Sequence, residues 1–143
     1  MNVSEKGIQF IKSREALRLQ AYLDDGGVPT IGYGHTKGVK LGDTCTFAEA
    51  LGFLNQDLSP VIAALNQDIV APVNQNQFDA LTALTFNIGI HAFHNSTLLR
   101  LLNDHNYAQA ALEFPKWDHD NGKVVPGLLA RRLMEKAIFE SLA

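Results

Sequence analysis

The chain has 143 residues, 46% of them hydrophobic and 19% charged, with a net charge of −3; that is the balance of one globular domain able to bury a core without covalent staples. Its single cysteine, Cys45, excludes an internal disulfide, so nothing in the fold depends on an oxidising compartment, and it is read as a small buried filler. Residues 41–99 carry five Asp/Glu and no Lys or Arg, the reverse of a nucleic-acid-binding stripe, and no run approaches the roughly 20 apolar residues of a membrane span.

The N-terminal stretch Met1–Arg14 mixes Glu5, Lys6, Lys12 and Arg14 with apolar residues and lacks the order of a signal peptide. Ser4 can cap a first helix reaching about Arg14, with Ile8 and Ile11 on its inner face. Leu17, Leu19, Ala21 and Leu23 then alternate with Arg18, Gln20 and Tyr22, the period of a strand. Asp24-Asp25-Gly26-Gly27 signals a turn, and Val28 to Tyr33 reads as the returning strand. Beyond this hairpin the pattern is helical. Thr46 and Glu49 form a capping box before Leu51, Leu54 and Leu58. Ser59-Pro60 predicts a new start or a kink. Asn74 with Gln77 repeats the start signal, and Gly89 closes that helix. The connection Gly89-Ile90-His91-Ala92-Phe93-His94 leads to Ser96, which opens a leucine-rich turn. Asn106 opens another, stopped by Pro115. Asn121-Gly122 reads as a turn between short extended pieces. Pro126 suits the first turn of a final helix carrying Leu129, Leu133 and Ala137, on which Arg131, Arg132 and Lys136 read as a solvated face.

The expected class is α+β, mostly helical: one domain over residues 1–143, with a small β-containing lobe about 15–58 and a helical lobe from 1–14 and about 59–143. Two lobes imply a cleft, the usual place for a ligand.

Glu15 lies where the first helix gives way to the strand, Asp24 in the turn and Thr30 on the returning strand. Glycoside hydrolysis asks for one protonated carboxyl, one ionised carboxylate across the sugar, and a polar group to orient water. By spacing alone a structural reading is the favoured one: Glu15 paired with Arg14 or Arg18, Asp24 shaping the turn, Thr30 an ordinary strand residue.

The run Glu15-Ala16-Leu17-Arg18-Leu19, then Tyr22, Asp24 and Thr30-Ile31-Gly32-Tyr33-Gly34-His35, resembles the catalytic segment of phage-type lysozymes. In that family the pattern is Glu, eight residues, Asp, five residues, Thr, then Ile-Gly-x-Gly-His. Asn74, Gln77, Phe78 and Phe86-Asn87-x-Gly89 look like its central helix. Phe93 and Ser96 to Leu99, then Trp117, Gly127-Leu128 and Arg131-Arg132, look like its later parts. The resemblance implies a two-lobed, lysozyme-like endolysin without metal or organic cofactor. It would hydrolyse the β-1,4 bond between N-acetylmuramic acid and N-acetylglucosamine in peptidoglycan. Glu15 would be the acid, with Asp24 and Thr30 holding water for an inverting attack. His35 would make a structural pair with an aspartate, Asp57 being preferred to Asp68 as partner, and Phe86 and Ser96 would line the glycan cleft. The enzyme would act as a monomer, wait in the host cytoplasm, and depend on a membrane-permeabilising partner such as a holin to reach the wall. One position departs from the pattern: Ala16 stands where the family usually has Gly, which would strain the chain if a positive φ were needed.

Other features carry weaker expectations. His91 and His94 have no Asp, Glu or Cys beside them in sequence, so no metal site is expected. Asp118-His119-Asp120-Asn121-Gly122 lacks the spacing of a calcium loop. Trp117 is read as core. Two rival functions remain: a glycan-binding module that does not cut, and a lytic transglycosylase that forms an anhydro product without water.

Overall fold

The computed structural model of the chain describes residues 1–120 and 122–142. These divide into two compact units, one of Gln9–Pro60 and one of Met1–Ile8 with Val61–Ala143. Both boundaries fall inside helices, α1 (Glu5–Arg14) and α2 (Phe47–Asp68).

In the Gln9–Pro60 unit, β1 (Arg18–Leu23) and β2 (Pro29–Gly32) form an antiparallel hairpin with Tyr22 opposite Thr30 and Leu23 opposite Pro29. The register shifts between Tyr22 and Arg18, which faces Gly32. Over this bulge β1 turns its other edge to Asp43–Cys45: Ala21 donates to the Asp43 carbonyl at 2.9 Å, and the Cys45 amide donates to the Leu19 carbonyl at 2.9 Å. The bulge thus gives the short strand two partners. Cys45 is only half-buried, so it is not the core filler expected. Buried in this unit are Ile11, Ile31, Tyr33, Ala50, Leu54 and Leu58. Gly32 takes a φ of +66° beside α2, where a Cβ would make ordinary contact with that of Ala50 at 3.4 Å. The capping box at α2 forms as expected, Thr46 N–H to Glu49 Oε1 at 3.0 Å and Glu49 N–H to Thr46 Oγ at 3.1 Å.

Pro60 neither ends nor restarts a helix: α2 runs through it. Leu54, Leu58, Val61 and Leu65 keep helical spacing across the proline and are all buried. That burial, roughly 1.5–3 kcal/mol per side chain, offsets the local cost of the imino acid.

In the other unit, α3 (Gln75–Ile88) is buried from Phe78 to Thr85 and opens with the Asn74/Gln77 capping box. Around it pack Val61, Leu65, Phe93, Leu98, Leu102, Phe114 and Phe139. Asp79, buried on α3, accepts from the Ser4 amide at 2.8 Å, from the Ser4 hydroxyl and from Gln75 Nε2 at 2.8 Å. Ser4 also caps α1, receiving the Gly7 amide at 3.1 Å. Gly7 must be glycine, because a Cβ would meet Asp79 Cγ at 2.7 Å.

The connection after Gly89 is itself a short helix, α4 (Ile90–His94). Ser96 caps α5 (Thr97–Asn103), and Asn106 opens α6 (Tyr107–Ala111), which ends before Pro115; the proline sits in a 3-10 turn, Phe114–Lys116. The strands β3 (His119–Asp120) and β4 (Lys123–Val124) pair antiparallel; Asn121, assigned to the turn between them, lies outside the described residues.

The last helix, α7 (Pro126–Glu140), buries the face expected to be solvated. Arg132 and Glu135 are 0% exposed and Arg131 7%, while Leu133 is 49% exposed. Glu135 receives Arg131 Nε at 3.3 Å on Oε2 and has Arg132 Nε 3.0 Å from Oε1. Paired charges can enter a core together where either alone could not. The Lys136–Glu140 pair stays at the surface.

Candidate active site

Glu15 follows the last residue of α1, its amide still donating to the carbonyls of Ile11 and Lys12 at 3.2 and 3.3 Å. The helix end fixes where its side chain begins. The carboxylate lies against Gly34, where a Cβ would come 3.5 Å from Glu15 Oε2. Gly34 has φ +81°, and its neighbour Gly32 +66°. With Tyr33 between them they return the chain so that Ile31 and His35 exchange both backbone hydrogen bonds, at 2.8 and 2.9 Å. Ala16 is not among the positive-φ residues, so the departure from the family's glycine introduces no backbone strain at Glu15.

Asp24 closes the hairpin turn through its side chain. Oδ1 accepts the amides of Gly26 at 2.9 Å and Val28 at 2.8 Å, while the Asp24 amide donates to the Val28 carbonyl at 3.0 Å. This is an Asx-type turn, for which aspartate is well suited. Thr30, 3% exposed, donates its hydroxyl to the same Val28 carbonyl at 2.8 Å. One residue therefore anchors both side chains. Both amide bonds to the Asp24 carboxylate fall on Oδ1, leaving Oδ2 as an acceptor, and the Thr30 oxygen keeps its lone pairs because it is the donor to Val28.

His35 is buried and meets Asp57 through Nδ1 at 3.0 Å from Oδ1 and 2.9 Å from Oδ2. Its ring stacks on Phe53, with centroids 4.4 Å apart and planes within 5°. The competing Asn-Gln-Asp tripeptide puts Asp68 against His94 at 3.0 Å. An acid therefore does stand beside one of that histidine pair, contributed by α2. Among the described residues no group of three or more metal-ligating side chains forms.

Phe86 and Ser96 belong to the other unit. Phe86 is half-buried on α3. Ser96 Oγ accepts the Leu99 amide at 3.0 Å and donates to the Phe93 carbonyl at 2.7 Å, which is the work of a helix cap. Trp117 packs against the core but also lines a pocket of about 410 Å³ with Asn87, Ile88, His119, Asp120 and Leu128, so it is more than core. The parts not anticipated from sequence are Val28 as common anchor, Phe53 under His35, and the contact of Arg132 with Asn87 at that pocket. Only the i,i+3 and i,i+4 spacing of Arg132 and Arg131 to Glu135 hinted at the last.

Comparison with known proteins bears on the whole chain. The phage lysozyme family model matches residues 12–135. The endolysin of Acyrthosiphon pisum secondary endosymbiont phage 1 is 49% identical over 145 residues, covering 99% of both chains. The endolysin of Salmonella phage P22 is 44% identical over 146 residues, with the same coverage. The solved muramidase domain of SpmX from Asticaccaulis excentricus is similar with a TM-score of 0.92 and 39% identity, again over 99% of both chains. The chain belongs to the phage lysozyme family and is a glycoside hydrolase of the muramidase type.

Proposed function

We propose that Glu15, Asp24 and Thr30 carry the hydrolysis of the β-1,4 bond between N-acetylmuramic acid and N-acetylglucosamine, with inversion. The observation that supports this best is the shared anchoring of Asp24 and Thr30 on Val28. It leaves Asp24 Oδ2 and the Thr30 oxygen as two acceptors, enough to take both O–H groups of one water. A water so held turns a lone pair outward. Its oxygen bonds to the anomeric carbon as the glycosidic C–O bond breaks, the leaving oxygen takes the proton of Glu15, and the water's proton passes to Asp24. Single displacement from the opposite face inverts the centre. His35 and Asp57 hold the β2–α2 region in place and take no part in proton transfer. Phe86 and Ser96 contribute to the glycan surface.

By the same reading the enzyme works as a monomer on peptidoglycan strands and lyses the host at the end of infection. No described helix is long and apolar enough to cross a membrane. We further propose that it accumulates in the host cytoplasm and is released by a separate membrane-permeabilising protein.

The test is product analysis on purified peptidoglycan. Reducing muramic ends, appearing first as the α-anomer in proton NMR, are expected. Anhydro-muramic ends would replace hydrolysis by transglycosylation, and the β-anomer first would replace inversion by retention.

A further inference from the structure

Outside the Glu15 region, one buried charge reaches the surface through a single side chain. Arg132 is fully buried, fixed at one end by Glu135. At the other end its Nη2 donates to Asn87 at 2.6 Å. Asn87 is exposed, near the C-terminal end of α3, and lines the pocket shared with Trp117, Ile88 and Leu128.

The chemistry of this contact decides which way the amide faces. A guanidinium has only donors, so the atom it meets must be the Asn87 oxygen. The oxygen is turned inward to Arg132, and the two N–H groups of Nδ2 are presented outward. Among the described residues none accepts from them. A freely rotating surface asparagine could offer either end to a ligand; this one is oriented with its donors outward. Beside it, Ile88, Leu128 and the half-buried Trp117 supply apolar wall. A donor next to an apolar surface matches an amide carbonyl carrying a methyl group.

We infer that Asn87, held oxygen-inward by the buried Arg132–Glu135 pair, is a specificity-determining residue that donates to an amide carbonyl of the peptidoglycan substrate, with Arg132 as its positioning residue. The inference rests on the muramidase reading above. The carbonyl can come from a sugar acetamido group or from the stem peptide, which share this chemistry.

Asn87→Asp is the discriminating variant. It keeps an oxygen for Arg132, so the buried contact survives, but it replaces the two outward donors with an acceptor. KM for solubilised peptidoglycan should rise about tenfold, the scale of one lost hydrogen bond, with kcat within twofold and the unfolding midpoint not lowered. A rise seen also with amidase-stripped glycan assigns the carbonyl to the acetamido group; a rise only with intact strands assigns it to the peptide. An unchanged KM, or a fall in kcat alone, overturns the inference. Calorimetric binding of the same strands by both chains separates it from the parent reading. If the natural chain binds without cutting, the muramidase mechanism fails, yet tenfold weaker binding by Asn87→Asp still upholds the role of Asn87 and equal binding rejects it.

Discussion

Asp24 and Thr30 are tied to the two polar ends of one residue: the Asp24 carboxylate accepts the Val28 amide and the Thr30 hydroxyl donates to the Val28 carbonyl, each at 2.8 Å. The turn that shapes the hairpin therefore also sets the two polar groups proposed to hold water. Structure and catalysis can be separated because an amide accepts as a carboxylate does. Asp24→Asn should keep the turn, shift the urea midpoint little, and lower peptidoglycan clearing by about 10²–10⁴-fold. Thr30→Val should likewise leave the fold intact and slow clearing by tenfold or more. A folded Asp24→Asn chain with near-normal clearing would remove Asp24 from the mechanism.

The seating of Glu15 against Gly34 makes a second prediction. Gly34→Ala places a Cβ at φ +81° and 3.5 Å from Glu15 Oε2. It should cost about 1–2 kcal/mol in stability and reduce clearing as well. Ala16 needs no such freedom. Ala16→Gly should therefore destabilise by roughly 0.4–1 kcal/mol through the unfolded chain without raising activity. A gain in clearing rate from Ala16→Gly would show that the alanine does misplace the acid.

The His35–Asp57 contact is structural in this account. Both carboxylate oxygens lie about hydrogen-bond distance from one ring nitrogen, and the ring is buried on Phe53. Asp57→Asn should lower unfolding free energy by about 1.5–3 kcal/mol and leave kcat unchanged well below the melting temperature. A large loss of kcat in the folded variant would give the pair a part in the chemistry.

Burial pushes the Glu135 carboxyl from its ordinary 4.5 up to about 7, against the pull of Arg132 and Arg131. Between those values the folded chain holds a proton that the unfolded chain has released. The resulting stabilisation is fully present below about pH 4.5 and is lost as pH rises through about 7, at most about 1.4 kcal/mol per pH unit for one proton. Thermal scans from pH 5 to 8 should show the natural chain falling relative to Glu135→Gln. Parallel pH profiles for the two would contradict this.

The elements with local chemical signals were legible in the sequence. Thr46 with Glu49 and Asn74 with Gln77 announce their helices because each cap is completed within four residues. The Asp24 turn and Pro126 at the start of α7 are local in the same way. What failed depends on distant partners. Pro60 signals a break, but burial of Leu54, Leu58, Val61 and Leu65 outweighs it. Arg131 and Arg132 look solvated until Glu135 and Asn87 are seen to meet them. At the candidate site, the positions of Glu15, Asp24 and Thr30 in helix end, turn and strand could be read directly. The dependence of Asp24 and Thr30 on Val28, and the seating of Glu15 against Gly34, could not, since both involve backbone positions that residue types do not reveal.

The central claim is that Glu15 is the acid of a peptidoglycan hydrolase, and the most direct measurement is clearing of purified peptidoglycan by the natural chain and by Glu15→Gln, both verified as folded. The account predicts clearing by the natural chain and a loss of at least about a hundredfold in the variant. Equal clearing by the two would contradict the role of Glu15, and glycan binding by both with clearing by neither would make this chain a binding module.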